Sequence, residues 1–482
     1  MDTAAEGGVR RFLAPWAWVD GAWRRDMLLE AGADGRWLRV GEARRNEAAA
    51  AAAQRLPGPV LPGLVDAHSH AFQRAMAGLS ADRQADQDDF WSWRERMYRV
   101  ALAIGPDELE AVAAWLYVEL LKGGYTQVCE FHYLHRDPSG ARYAQPAELA
   151  LRHLSAARAA GIGLTLLPAL YVASGFGAQG LRPQQRRFAG SSDEMLRIAA
   201  DVQQQALLGC HDATRSPVTT GVALHSLRAV PAPLVAEMLA VAAADAPLHI
   251  HASEQTGEVD DCLAHTGSRP IDWLLAHHGA RRWNLVHATH ADGNELQAMA
   301  RCGAQPVLCP STEADLGDGV FALGAWLDAS AAADAGQGGP RLALGSDSHA
   351  ARSAAEELRL LEWVQRLQRR ARNVCARPPR QPSTAAVLFE AALAGATQAA
   401  GVPLGGLAAG ARADFLVLDR DCDALAGVPA ERLLDAWVFS SPAADAVDEV
   451  YVAGVRRIAG GRHPREAALK QAFERAMRAL WA

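Results

Sequence analysis

The chain has 482 residues, half of them hydrophobic and 21% charged, a globular composition that excludes disorder as its general state. Its net charge of -7 gives no reason to expect nucleic acid or an anionic membrane as partner. No apolar run approaches the ~18 residues that span a bilayer, and the opening MDTAAEGGVRRFLAPW has no hydrophobic leader core, so a soluble, cytoplasmic protein is expected.

The first sixty residues read as short strands at 12–19, 23–30 and 36–40. They are separated by Asp20-Gly21 and Asp34-Gly35, dipeptides suited to tight hairpins because both can take positive φ. A longer alternating region follows. Apolar strand-like runs occur at 59–66, 125–130, 163–170, 219–225, 246–251, 283–287, 303–309 and 341–347, with helical patterns between most of them. The clearest helix covers 107–121, where Leu109, Val112, Ala113, Leu116 and Leu120 share a face and Gly123-Gly124 ends it. Another covers 354–367, with Ser353 and Glu356 spaced as a capping box. Strand patterns return at 414–418, 436–439 and 449–455. Beyond Pro464 a last helix places Leu469, Phe473 and Leu480 on one side.

Eight strands alternating with helices predict an α/β protein built as a (β/α)8 barrel. Strands too few to stand alone at either end predict one small β-unit made from both termini. The expected boundaries are 1–58 for the first part of that unit, 59–403 for the barrel, and 404–482 for the second part with the C-terminal helix. A doubly wound sheet is the alternative, but neither a GxGxxG turn nor a phosphate-binding loop follows the first strand. The seven cysteines are odd in number and form no CxxC, which argues against a disulfide framework and against cysteine-held zinc.

In such a barrel the chemistry stands at the C-terminal ends of the strands. Five of the eight predicted ends carry histidine: His68 and His70 on the first, His225 on the fourth, His249 and His251 on the fifth, His287 on the sixth and His349 on the eighth, beside Asp347. Residues i and i+2 of a strand face the same way, so His68 and His70 can both enter the barrel mouth. With a third imidazole from the fifth strand and a carboxylate from the eighth, they make the donor set of a catalytic divalent-metal centre with an open position. His251 is the ligand expected on the fifth strand, since it is nearer the mouth; His249 is expected to be buried in the core. Glu254 is three residues further on, where it could move protons beside a metal-activated water.

These residues carry a resemblance. The run Leu61-Pro-Gly-Leu-Val-Asp-Ala-His-Ser-His70 resembles the first-strand signature of the amidohydrolase superfamily. His251, Glu254, His287 and Asp347 are similar to the terms of its deaminase branch, and the segment from Gly405 to Leu416 is similar to the strand by which its members re-enter a small β-sandwich. The resemblance implies a distorted (β/α)8 TIM barrel with a β-sandwich domain from both chain termini. It implies His68, His70, His251 and Asp347 as ligands of one divalent ion per subunit, zinc in the first place, and Glu254, His287 and Asp347 as the catalytic groups. Binuclear members bridge two metals through a lysine after the fourth strand. Here that strand ends in His225, and the only lysines, Lys122 and Lys470, lie elsewhere, so a mononuclear site is read.

Closer matches at 68–78, 91–97, 130–135 and 225–230 resemble the branch that hydrolyses N-formimidoyl-L-glutamate to N-formyl-L-glutamate and ammonia in histidine degradation. That likeness implies Gln73, Arg94, Tyr133, His225 and Arg228 as substrate-binding residues, a small dicarboxylate as substrate, and a homodimer. Forked arginine donors suit a dicarboxylate independently of the resemblance, although arginine supplies 46 of the 48 basic residues here, which makes any single one weak evidence. A deaminase of a ring substrate such as guanine or an adenosine derivative is the alternative enzyme. An inactive barrel serving as a binding protein is the alternative outside catalysis.

Overall fold

The computed structural model describes residues 8–82, 89–208, 217–333, 339–440, 442 and 444–482. The first strands are β1 (Arg10–Val19), β2 (Ala22–Ala31), β3 (Trp37–Glu42), β4 (Gln54–Arg55) and β5 (Val60–Pro62). Val19 pairs with Ala22 across Asp20 and Gly21, both at positive φ (52° and 69°), the two-residue turn that the Asp-Gly dipeptide favours.

The barrel strands are β6 (Leu64–Ser69), β7 (Tyr125–His132), β8 (Gly163–Leu170), β9 (Val218–Thr220), β10 (Val222–Ser226), β11 (Leu248–Ala252), β12 (Trp283–His287), β13 (Gln305–Leu308) and β14 (Ala343–Leu344). All their pairings are parallel, and the ring closes because β10 bonds to β8 as well as to β11. The predicted fourth strand is divided into β9 and β10 at Gly221. A Cβ there would stand 2.7 Å from the Pro247 carbonyl oxygen, so the close approach needs glycine. The eighth strand is only two residues long, and Leu344↔Asp66 and Ser69↔Asp347 carry its junction with β6.

The chain then returns to the terminal sheet with β15 (Phe415–Leu418), β16 (Val447–Val452) and β17 (Val455–Ile458). The eight terminal strands form one sheet in the order β17-β16-β15-β5-β1-β2-β3, with β4 on β1. Its core is aromatic: the Phe415 and Tyr451 rings stack at 4.2 Å, and Phe12 meets Phe415 edge-on at 5.1 Å.

Three expectations about local structure are corrected. The run 59–66 reads as one barrel strand, but Val60–Pro62 pairs with β1 and β15 in the terminal sheet, and only the part after Gly63 enters the barrel. The run 436–439 reads as a strand but belongs to the helix Leu433–Phe439. Leu433, Leu434, Trp437 and Val438 are buried there at helical spacing, a pattern that a four-residue apolar window cannot resolve. The helix Ala354–Arg369 starts after Ser353, yet the Ser353 side chain makes no cap. The backbone N–H of Ala354, the first of the helix, donates to the Gly123 carbonyl at 2.9 Å.

The helix Pro106–Lys122 forms as expected, and the C-terminal helix Glu466–Trp481 lies against it, Phe473 facing Trp115. Lys122 Nζ pairs with Glu466 Oε1 at 3.2 Å, on this outer layer. The six described cysteines are free thiols; Cys210 lies outside the described residues. No described helix is long and apolar enough to cross a membrane.

Candidate active site

The ends of β6 and β11 bring three imidazoles to one point. His68 Nε2 lies 3.1 Å from His70 Nε2 and 3.1 Å from His251 Nε2. The other ring nitrogen of His70 donates to the Phe131 carbonyl at 2.9 Å, and that of His251 to the His225 carbonyl at 2.8 Å. A carbonyl can only accept, so the proton of each ring sits on Nδ1 and each Nε2 presents a lone pair. Lone pairs converging at such distances call for a cation among them. Burial pushes His70 down to about 3 and holds His68 and His251 well below the ordinary imidazole range, so these rings stay neutral, the form that binds metals.

Asp347 supplies the carboxylate. Its Oδ1 stands 3.5 Å from His70 Nε2 and 3.6 Å from His68 Nε2. It leaves β14 at φ 51°, and its backbone is fixed to β6 in both directions: Asp347 N donates to the His68 carbonyl, and His70 N to the Asp347 carbonyl. Ser253, His287, Ala288 and His349 share positive φ. Strained backbone thus gathers at the ends of the fifth, sixth and eighth barrel strands, as is common where side chains must be aimed. Three histidine nitrogens and one carboxylate fit a single divalent ion. The anchoring of two of the rings by backbone carbonyls is the support that such ligands require.

His287 faces the other oxygen of Asp347, with Nε2 3.7 Å from Oδ2 and 3.6 Å from Glu254 Oε1. Its Nδ1 is 3.4 Å from Glu313 Oε1. Burial disfavours its charge, but Glu254, Glu313 and Asp347 together outweigh that and lift it to about 10. Asp347 itself is pushed up to about 7 by burial, against the pull of His287. His249, two residues before His251, turns its Nε2 to the Ala399 carbonyl at 2.9 Å, in the core.

Gln73, Arg94, Tyr133, His225 and Arg228 line one cavity with His70, His251, Glu254, His287 and Asp347. Every candidate site residue named from sequence therefore lines this cavity or, like His68, lies directly beneath it. Gln73 Nε2 donates to the Tyr133 hydroxyl at 3.0 Å, which leaves Gln73 Oε1 without a partner. Arg94 is only 8% exposed; its guanidinium stacks on Trp91 at 4.4 Å and its Nε has no acceptor. Among the described residues neither Arg94 nor Arg228 forms a hydrogen bond or an ion pair through its side chain.

Several cavity or support residues escaped the reading of the sequence, among them Glu313 beside His287, and Tyr98, Tyr171 and Phe188 in the cavity wall. Glu313 left a signal. It stands four residues after Cys309 and three after Pro310 at a helix start, and its carboxylate accepts the Cys309 N–H at 2.9 Å.

Residues 60–457 match the amidohydrolase family. The chain is 47% identical over 452 residues to formimidoylglutamate deiminase of Pseudomonas aeruginosa, which covers 94% of this chain and 95% of the relative. It is 28% identical over 411 residues to 8-oxoguanine deaminase of the same organism, covering 83% and 82% of the two chains. Among solved structures, an amidohydrolase from Brucella melitensis superposes with a TM-score of 0.88 at 39% identity, covering 98% of this chain and all of the other.

Proposed function

The chain belongs to the amidohydrolase family, and from that premise we propose that it is a metal-dependent hydrolase of the C–N bond of a linear amidine, converting N-formimidoyl-L-glutamate and water to N-formyl-L-glutamate and ammonia. One observation carries the choice of substrate. Two arginines whose side chains make no hydrogen bond or ion pair among the described residues face the same cavity as the histidine cluster, with Glu254 and Glu258 near enough to favour the charge of Arg228. Guanidiniums with open N–H donors suit the two carboxylates of a glutamyl group better than they suit a purine ring.

His68, His70, His251 and Asp347 would hold one divalent ion, zinc in this reading. When bound, the ion serves as a Lewis acid that acidifies water toward neutrality. The remaining work falls to side chains. Asp347, and His287 facing its Oδ2 at 3.7 Å, take up the two protons of the attacking water in turn. The water oxygen bonds to the formimidoyl carbon. Glu254 hydrogen-bonds the substrate nitrogen and passes both of those protons to it, the first as the C–O bond forms and the second as the C–N bond breaks, so that ammonia departs and the C=O of the formamide is left. Gln73, Tyr133, His225, Arg94 and Arg228 orient the substrate. The same reading takes the protein to be a homodimer, as the family resemblance implies, and cytoplasmic, as its composition and opening residues suggest.

Ammonia release from a panel of N-formimidoyl-L-glutamate, N-formimidoyl-L-aspartate and guanine tests the proposal. Turnover of the glutamyl compound well above the other two is expected. Turnover of guanine alone would replace the reading with a ring deaminase.

A further inference from the structure

We propose that Gln185 presents the hydroxyls of Tyr98 and Tyr171 as two hydrogen-bond donors to the carboxylate end of the substrate, between Arg94 and Arg228. The inference deepens the deiminase reading and rests on it.

Gln185 is fully buried at the end of the short 3-10 turn Pro183–Gln185. The backbone N–H of Arg182 donates to its Oε1 at 2.9 Å. An N–H needs an acceptor, so this bond fixes which end of the amide is oxygen. The NH2 end then faces two phenols, and it donates to Tyr98 at 3.0 Å and to Tyr171 at 2.8 Å. Both amide protons are spent, both phenol oxygens serve as acceptors, and each phenol keeps its own proton for another partner. Among the described residues neither hydroxyl has one.

Both tyrosines line the cavity beside Arg94 and Arg228, whose side chains make no hydrogen bond among the described residues. Tyr98 is one turn beyond Arg94 on the helix Phe90–Ala103, with the Arg94 guanidinium 5.7 Å from its ring. Tyr171 packs against the His225 ring at 4.4 Å. Burial keeps the Tyr98 phenol protonated by pushing it up. Two O–H donors and two guanidiniums converging on one space describe a receptor for carboxylate, which offers only acceptors. Nothing in a scaffold role requires Gln185 to leave both phenol protons free.

The test compares kcat/KM for ammonia release from N-formimidoyl-L-glutamate with that from formamidine, which has no carboxylate. It adds the calorimetric affinity for N-formyl-L-glutamate. Tyr98→Phe and Tyr171→Phe should each lower kcat/KM on the glutamyl substrate about 10-fold or more, since a hydrogen bond to a charged group is lost. The loss on formamidine should be several-fold smaller, and the affinity for N-formyl-L-glutamate should fall with the first substrate. Gln185→Glu is the sharper variant. It can still accept from Arg182 and bridge both phenols, but only by consuming their protons, and it should cost about 100-fold or more. Wild-type efficiency in both phenylalanine variants, equal losses on the two substrates, or a Gln185→Glu protein like wild type would each overturn the receptor. A wild-type protein that releases no ammonia from N-formimidoyl-L-glutamate overturns the deiminase reading instead, and the N-formyl-L-glutamate affinities then judge the receptor by themselves.

Discussion

The floor of the cavity and its wall are built on opposite plans. On the floor the groups answer one another: two imidazoles are fixed by backbone carbonyls, Asp347 is tied to β6 through its own backbone, and the charge of His287 is surrounded by Glu254, Glu313 and Asp347. On the wall, Arg94 and Arg228 have no such partners among the described residues, and Gln73 Oε1 and the Arg94 Nε are buried without any. The floor holds its side chains by backbone bonds and facing charges and leaves its ring lone pairs for a cation, a fixed arrangement that can stabilise a transition state without rearranging. The wall is organised around something not yet there. Reaction type is therefore legible from the floor alone, and substrate from what the wall leaves unpaired.

Substitutions can break that division, and the largest effect should come from the floor. His70→Ala removes a converging ring nitrogen, so bound metal and ammonia release should both fall to background. Metal content by elemental analysis beside turnover checks this, and full retention of both would dissolve the floor as described. Glu254→Gln keeps the shape of the side chain but cannot carry a proton. A loss of kcat of ~10²–10⁴-fold with metal still bound is expected, read from steady-state kinetics on the metal-loaded protein.

On the wall, Arg228→Met should lower kcat/KM for N-formimidoyl-L-glutamate by about one to two decades, the worth of a charge-assisted contact. Formamidine should suffer far less. A loss of equal size on both substrates would mean that wall and floor are one unit. The smallest effect should come from His249→Asn, two residues below the floor on the same strand. It forfeits the bond to the Ala399 carbonyl at a cost of about 1 kcal/mol in stability. Metal content and turnover should stay close to wild type, with the cost visible only in a urea midpoint. Metal loss in that variant would place the floor lower in the barrel.

Much of the floor is legible in the sequence because strand periodicity aims residues locally. His68 and His70 must share a face whatever the rest of the chain does, and the eight-strand alternation says where that face looks. The wall is less legible. Tyr98 reads as one more apolar position of an amphipathic helix, and Gln185 sits in a turn with no periodicity at all. They meet Tyr171 only because the barrel closes. Glu313 is half legible, as an acid in the first turn of a helix, but nothing local says that its carboxylate reaches His287. The failures of local reading have the same origin. Val60–Pro62 and 436–439 are apolar windows too short to carry their own period, and the sheet or helix that they join is decided by distant partners.

Gly63 separates two sheets by a single residue. On one side β5 lies between β1, made early, and β15, made near the end of synthesis; on the other, β6 carries His68 and ends just before His70. A Cβ at Gly63 would fall 2.3 Å from Thr126, so the joint has no slack. The strand that bears the first two metal-facing rings is thus moored in a sheet that a ribosome cannot complete until Phe415–Leu418 has emerged. A nascent chain halted before that point holds every imidazole of the cluster but lacks one edge of the mooring. A truncation that spares all the chemistry would still remove one neighbour of β5, the strand joined through Gly63 to the one that bears it.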